Sequence, residues 1–303
     1  MELNLPFHLE LEGKSVLLAG AGGGWDVLVA LPLAHELERN SCRVVLANYS
    51  SQVDGFNVRL AEPEDVFESA VGQVLGKPVY VFGKEGAKRL RDGYEMVLKE
   101  HCIDTIILVD GGVDSLMRGD EEGPGSIIQD TLSLMVVDSL RIPLKILACL
   151  GFGTETDEGV CHFRVLENMA ALAKDGNFLG ACALTKTMDA FRYYEKVCQI
   201  IFDLPMMRSH VHTRIVPAVH GEFGRYEMFK DAYQPLDPLS ARPPFISPLM
   251  TLYWFYDVAG VLRMNLLAEH LANTESYADV QMAYEQQNRL LRGKLRPDKD
   301  IPL

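Results

Sequence analysis

The residues best suited to chemistry in this sequence lie in two glycine-rich loops. One is Asp110-Gly111-Gly112-Val113-Asp114-Ser115-Leu116-Met117-Arg118-Gly119-Asp120-Glu121, directly after the apolar run Thr105 to Val109. Glycines between carboxylates let the backbone fold back and bring Asp110 and Asp114 toward one point. Two such charges about 4 Å apart repel by about 4 kcal/mol at an effective dielectric of about 20. A divalent cation, a trapped proton or Arg118 must offset that repulsion. The other loop, Gly20-Ala21-Gly22-Gly23-Gly24-Trp25-Asp26, follows the apolar run Ser15 to Ala19. Such a turn lets the backbone approach a ligand closely, with N–H groups of the next helix facing it.

Asp26 changes what that first loop can hold. A carboxylate in a first helical turn is stabilised by the helix dipole, yet it repels a phosphate at the same place. It is therefore a helix cap, or a group for a cation or for hydroxyls. Two departures count against an ordinary dinucleotide fingerprint: Trp25 stands where a glycine belongs, and the end of the second strand offers Asn48 rather than an acid. The expected site has Asp110 and Asp114 holding a cation, Mg²⁺ or Ca²⁺, or substrate hydroxyls. Gly20, Gly22, Gly23, Gly24, Gly111, Gly112, Ser115 and Thr154 bind ligand, and Arg118 meets an anionic group. Asp26, Asp110, Asp114, Glu167 and His210 are the candidate catalytic groups. Aspartates around a glycine turn resemble, in residue type, the way nucleoside hydrolases use acids to hold calcium and ribose hydroxyls.

Other candidates are weaker. The loop Gly153-Thr154-Glu155-Thr156-Asp157-Glu158 either adds acids to the same edge or is a solvated acidic loop. His210, His212 and His220 fix no zinc geometry by spacing, and one histidine acting as general acid or base suits them better. Adjacent Cys161 and His162 do not aim at each other. The aromatic run Tyr253-Trp254-Phe255-Tyr256 reads as core or interface, with Asp257 after it a cap or a site acid.

The elements that must position these groups follow from hydrophobic periodicity. Strands are expected at Ser15–Gly20, Arg43–Ala47, Pro78–Phe82, Asp104–Val109 and Leu144–Leu150, and Asp104–Val109 is apolar enough for burial on both faces. Helices are expected at Asp26–Arg39, with Pro32 bending it or marking a late start, and at Glu62–Val71, Ala87–Glu100, Ser126–Leu140, Cys161–Asp175 and Lys186–Asp203. This alternation predicts an α/β chain with a doubly wound, mostly parallel Rossmann-like sheet over about residues 12–185. From Ser209 onward helix and irregular chain are expected, including Thr251–Leu271 and Ser276–Arg292, the latter capped by Thr274, with a proline-rich loop or crossover from Pro235 to Pro248. The expectation is one domain over 1–303, its helical extension spanning about 186–295.

Composition bounds the rest. The chain is 48% hydrophobic and 23% charged, ordinary for a globular protein, and its 303 residues bury a large core. A net charge of −13 disfavours nucleic acid as a partner. The six cysteines form no Cys-x-x-Cys pair, so neither a zinc ribbon nor a disulfide framework is indicated. No signal-peptide order and no apolar run near 18 residues is present, so no membrane partner and a cytoplasmic location are expected.

By its glycine-run-plus-Asp26 loop and the stretch Val109 to Glu121, extending through Phe178-Leu179-Gly180, the sequence resembles a prokaryotic family of Rossmann-like proteins with no assigned activity. The resemblance implies a Rossmann-like fold and nothing about chemistry. The residues favour a small-molecule enzyme, a hydrolase or transferase of a ribosyl or nucleotide-like metabolite at an acid-lined, cation-assisted site. The alternatives are an NAD(P)-dependent oxidoreductase with an atypical loop, and a non-catalytic nucleotide sensor or homo-oligomeric scaffold joined through its aromatic C-terminal helices.

Overall fold

Eight strands form one sheet in the order β3-β4-β2-β1-β5-β6-β10-β7. The computed structural model describes residues 3, 5–6, 11–50, 53–123, 125–204, 209–228, 243–291 and 293–301. The strands are β1 (Ser15–Gly20), β2 (Arg43–Tyr49), β3 (Val58–Leu60), β4 (Val79–Phe82), β5 (Thr105–Asp110), β6 (Leu144–Leu150), β7 (Phe178–Ala183) and β10 (Leu252–Asp257). A separate two-stranded ribbon pairs β8 (Gly224–Arg225) with β9 (Phe245–Ile246). The five central strands β4, β2, β1, β5 and β6 run parallel. This is the expected Rossmann-like α/β sheet, and its order reverses at β1.

Helices cover both faces, as a parallel sheet requires. Successive β1 residues divide between two cores: Val16 and Leu18 face one, Leu17 and Ala19 the other. The first core takes α1 (Ala30–Arg39), α2 (Val66–Leu75), α6 (Asp189–Phe202) and α7 (His212–His220). The second takes α3 (Ala87–His101), α4 (Ile127–Ser139), α5 (His162–Lys174) and α8 (Val258–Met264), followed by the short α9 (Ala268–Leu271) and by α10 (Tyr277–Leu291). Pro32 falls in the first turn of α1, where no intrahelical N–H partner is lost. The chain before it, Asp26–Leu28, is a single 3₁₀ turn, so the helix does start late.

The C-terminal third departs from the expectation. Residues 252–257 are not helix but β10, inserted antiparallel between β6 and β7. Tyr253 and Phe255 pack into one core, while Trp254 and Tyr256 pack against the other. A strand buried on both faces has no polar alternation to mark it, so its unbroken aromatic run resembles a helix segment. Most of the proline-rich stretch, at 235–242, lies outside the described residues.

Thr274 also acts differently from expectation. Its hydroxyl does not cap α10 but accepts the backbone N–H of Ala87 at 3.0 Å, satisfying an orphan donor at the start of α3. Asp279 instead turns back to the backbone N–H of Ser276 at the head of α10. Thr274→Ala is expected to destabilise the protein by about 1 kcal/mol through the lost cap. Urea denaturation monitored by circular dichroism measures this, and an unchanged midpoint would contradict the assignment.

Candidate functional site

The loops after β1 and β5 meet where the strand order reverses. Asp26 is the joint: its Oδ2 accepts the N–H of Gly22 at 2.7 Å and its Oδ1 accepts that of Gly111 at 3.0 Å. Around this joint lies a cavity of about 240 Å³. Gly22, Gly23, Gly24, Trp25, Asp26, Asp110, Gly111 and Asp114 line it from the two expected loops. Ser126, Gln129, Asp130, Glu155, Glu158, His210, Val211 and His212 complete the wall.

Five carboxylates converge there. Oxygens of Asp26, Asp110 and Asp130 lie within 4.8 Å of one another, and so do oxygens of Asp110, Asp114 and Glu155. Four of the five are sealed from solvent: Asp130 is 1% exposed, Asp114 2%, Asp110 3% and Glu155 4%. Asp26 is half-buried. No Lys or Arg lines the cavity among the described residues.

Most of these acids are held in place through a named oxygen. Asp110 Oδ2 accepts from the Ser115 hydroxyl and, at 3.3 Å, from the Ser115 N–H. Asp114 Oδ2 accepts the Ser126 N–H at 2.6 Å and its hydroxyl at 2.8 Å. Glu155 Oε2 accepts the Val113 N–H at 2.6 Å. Asp130 is the exception: neither oxygen has a hydrogen-bond partner. A buried unpaired carboxylate is costly, and native structures keep one only where a partner or a proton compensates it.

The glycines serve these acids by being small. A methyl on Gly112 would stand 2.1 Å from Glu155 Cδ, and one on Gly22 would stand 2.8 Å from Asp130 Oδ1. Carboxylates thus occupy the space beside bare backbone that a ligand phosphate occupies in dinucleotide-binding loops.

Burial drives the electrostatics. It holds Asp110, Asp130 and Glu155 well above the usual carboxylate range, and the neighbouring acids push in the same direction. Asp114 is also raised, by burial foremost, against the pull of its Ser126 hydrogen bonds. Asp26 is pushed up to about 7 by burial, while its bonds to Gly111 and Gly22 resist the change. Without a cation, the cluster therefore retains protons near neutrality.

The structure separates the other expected site residues from this cavity. Glu167 sits on α5, ion-paired with Arg164 at 2.9 Å and with Arg296, and does not line the cavity. Arg118 pairs with Asp120 at 3.8 Å and does not line the cavity. Gly20 packs against Asn48, whose amide bonds the carbonyl of Gly24 and the carboxylate of Glu68. The Thr154 hydroxyl closes its own turn onto the Gly151 carbonyl at 2.7 Å. Ser115 and Gly112 act one step back, by holding Asp110 and admitting Glu155.

The histidines also separate. His210 lines the cavity and pairs with Glu158. His212 lies fully buried between the Tyr194 hydroxyl at 2.6 Å and the Trp25 carbonyl at 3.0 Å. Facing a carbonyl, its Nε2 must donate, and burial pushes its pKa down to about 3, so the ring is neutral and structural. His220 bonds Glu195 on an exposed surface. The three do not converge on one ion.

Two residues of the cluster carry weak sequence signals. Glu155 belongs to a loop that reads equally as solvated acid. Asp130 is concealed in the apolar sequence of α4, where a charge within a helix buried nearly all round is the only clue.

The raised acid at residue 130 has a consequence for stability. Below about pH 4 the Asp130 carboxyl is protonated both folded and unfolded, and its contribution is fully present. As pH rises the unfolded chain ionises first, so stability falls until the folded group also loses its proton, by up to about 1.4 kcal/mol per pH unit. In the presence of chelator, Asp130→Asn should gain stability relative to wild type between pH 5 and pH 8. Denaturant melts at both pH values measure this; a pH-independent difference would contradict the assigned burial.

Comparison with known proteins adds one match. Residues 58–290 fit the model of a family described as Protein of unknown function (DUF1152). No curated protein and no solved structure matches the chain. The matched region carries Asp110, Asp114, Asp130 and Glu155, whereas the loop with Asp26 precedes it. Because the match takes in more than half of the sequence, this chain belongs to the DUF1152 family.

Proposed function

We propose that the protein is a divalent-cation-assisted hydrolase or transferase acting on a ribosyl or nucleotide-like small molecule. The observation that carries this reading is Asp130: a buried carboxylate with both oxygens unpartnered, beside Asp26 and Asp110 on one cavity wall. An all-carboxylate set suits the hard cations Mg²⁺, Mn²⁺ and Ca²⁺. Two oxygens across one ion stand about 4.1–5 Å apart for bonds of about 2.05–2.5 Å. The spacing within 4.8 Å in each acidic trio is compatible with that geometry.

A bound cation would polarise a substrate oxygen or lower the pKa of a bound water. The chain's own groups have separate tasks. Ser115, Ser126 and the N–H of Val113 orient Asp110, Asp114 and Glu155. Gly22, Gly23 and Gly24 present backbone to the ligand, and the His210–Glu158 pair is a proton carrier at the wall. With no Lys or Arg in the lining among the described residues, an anionic group on the substrate would depend on the cation for its counter-charge.

The size and charge of the cavity favour this reading over the nicotinamide alternative. Its volume of about 240 Å³ is below the ~300–1,000 Å³ usual for drug-sized ligands. A ribosyl or phosphoryl group suits it better than a whole dinucleotide, whose pyrophosphate would meet Asp26 and Asp130.

Thermal melts of metal-stripped protein test the proposal. Mg²⁺, Mn²⁺ or Ca²⁺ at millimolar concentration should raise the melting temperature, with the rise abolished in Asp110→Asn. A cation at about a hundredfold excess over its dissociation constant would add about 2.7 kcal/mol. Nucleosides, nucleotides and sugar phosphates should then be turned over only with the cation present. If no divalent cation stabilises the protein, the proposal is wrong.

A further inference from the structure

The two acidic trios share a single residue, Asp110. We infer that the cavity binds two divalent cations bridged by the Asp110 carboxylate, one completed by Asp26 and Asp130, the other by Asp114 and Glu155. This inference rests on the cation-assisted reading above and specifies how many ions the site takes and which acids hold each.

Geometry supports the division. Asp130 has no hydrogen-bond partner and lies beside Asp26 and Asp110, so it marks the first position. Asp114 and Glu155 mark the second: each is anchored through one oxygen to backbone N–H groups while their side chains meet each other. An ion in the first position alone would leave that second buried pair facing each other without a cation. Each ion would bond an Asp110 oxygen at about 2.1–2.5 Å, which fits the ~3.5–4 Å separation of two-metal sites.

Charge supports the same number. The five carboxylates of the two trios bring five negative charges when ionised, with Glu158 on the same wall paired to His210, and among the described residues the lining offers no Lys or Arg to meet them. One divalent ion leaves three of these charges uncompensated in a buried site; two leave one. Ser115 holds Asp110 through Oδ2 and so sets the orientation of the bridging group.

Mn²⁺ serves as the probe because it reports both number and proximity. The full-length chain, stripped and reloaded with Mn²⁺, is analysed for metal content and by electron paramagnetic resonance. Two ions per chain with an exchange-coupled spectrum are expected. Asp130→Asn and Glu155→Gln should each retain one ion and give an uncoupled spectrum, with circular dichroism confirming that they fold. If a variant does not fold, the count and coupling in wild type decide alone. One ion per wild-type chain overturns the pair while leaving a cation-assisted site intact. Two uncoupled ions overturn the Asp110 bridge, and no bound ion overturns both this inference and the function proposed above.

Discussion

Mutual repulsion among buried carboxylates is the constraint to which the rest of this structure answers. Burial and like charge act in the same direction on Asp110, Asp130 and Glu155; hydrogen bonds from Ser115 to Asp110 and from Val113 to Glu155 offset only part of the penalty, and Asp130 has none. A fold gains nothing in stability from such a cluster. Buried charges without partners are destabilising by several kcal/mol in ordinary cores, where an apolar residue of similar volume serves better. Sites that store unfavourable electrostatics are characteristically functional, because a ligand of opposite charge recovers what folding gave up.

The parallel sheet makes this concentration of charge geometrically feasible. Parallel strands deliver all their following loops to one edge, and reversal of strand order at β1 opens a crevice between the loops after β1 and β5. Glu155 enters from the loop after β6, and Asp130 from the first turn of α4. Glycine then removes the steric limit at Gly22 and Gly112, so that side chains from four segments reach one volume. The His212 ring, wedged between Tyr194 and the Trp25 carbonyl, ties the first loop to α7 behind it.

Much of this arrangement is legible in the sequence, for identifiable reasons. β1, β5 and β6 are continuous apolar runs ended by Gly or Asp, so both their existence and the side on which their loops gather follow from pattern. That reasoning brings Asp26 to Asp110, and the structure joins the Asp26 carboxylate to the N–H of Gly111. It fails where the pattern is silent. β10 is hidden because strands buried on both faces lose their alternation, and Asp130 because helical periodicity says which face is apolar but not what a lone acid there meets. Arg118 and Glu167 fail differently: proximity in sequence to Asp114 and to the acidic loop does not fix the direction of a long side chain.

Those two residues show where the positive charge went instead. Arg296 reaches from the C-terminal segment to Asp120 at 2.8 Å, to Glu121 at 2.5 Å and to Glu167, while its own backbone N–H bonds the Asp120 carbonyl at 2.7 Å. Asn168 closes the same network by donating to the Leu116 carbonyl at 3.0 Å and to Glu121 at 3.1 Å. The acids at the far end of the loop are therefore neutralised by arginine, and those at its near end are not. One loop thus divides into a segment clamped by arginine and a segment whose carboxylates, Asp110 and Asp114, are held by hydrogen bonds from Ser115 and Ser126. An arginine placed among Asp110, Asp114 and Glu155 would pair with them as Arg296 pairs with Asp120 and Glu121, and its side chain would take up cavity space. Arg118 and Arg296 lie outside the cavity, so among the described residues no arginine pairs with the carboxylates around its space of about 240 Å³.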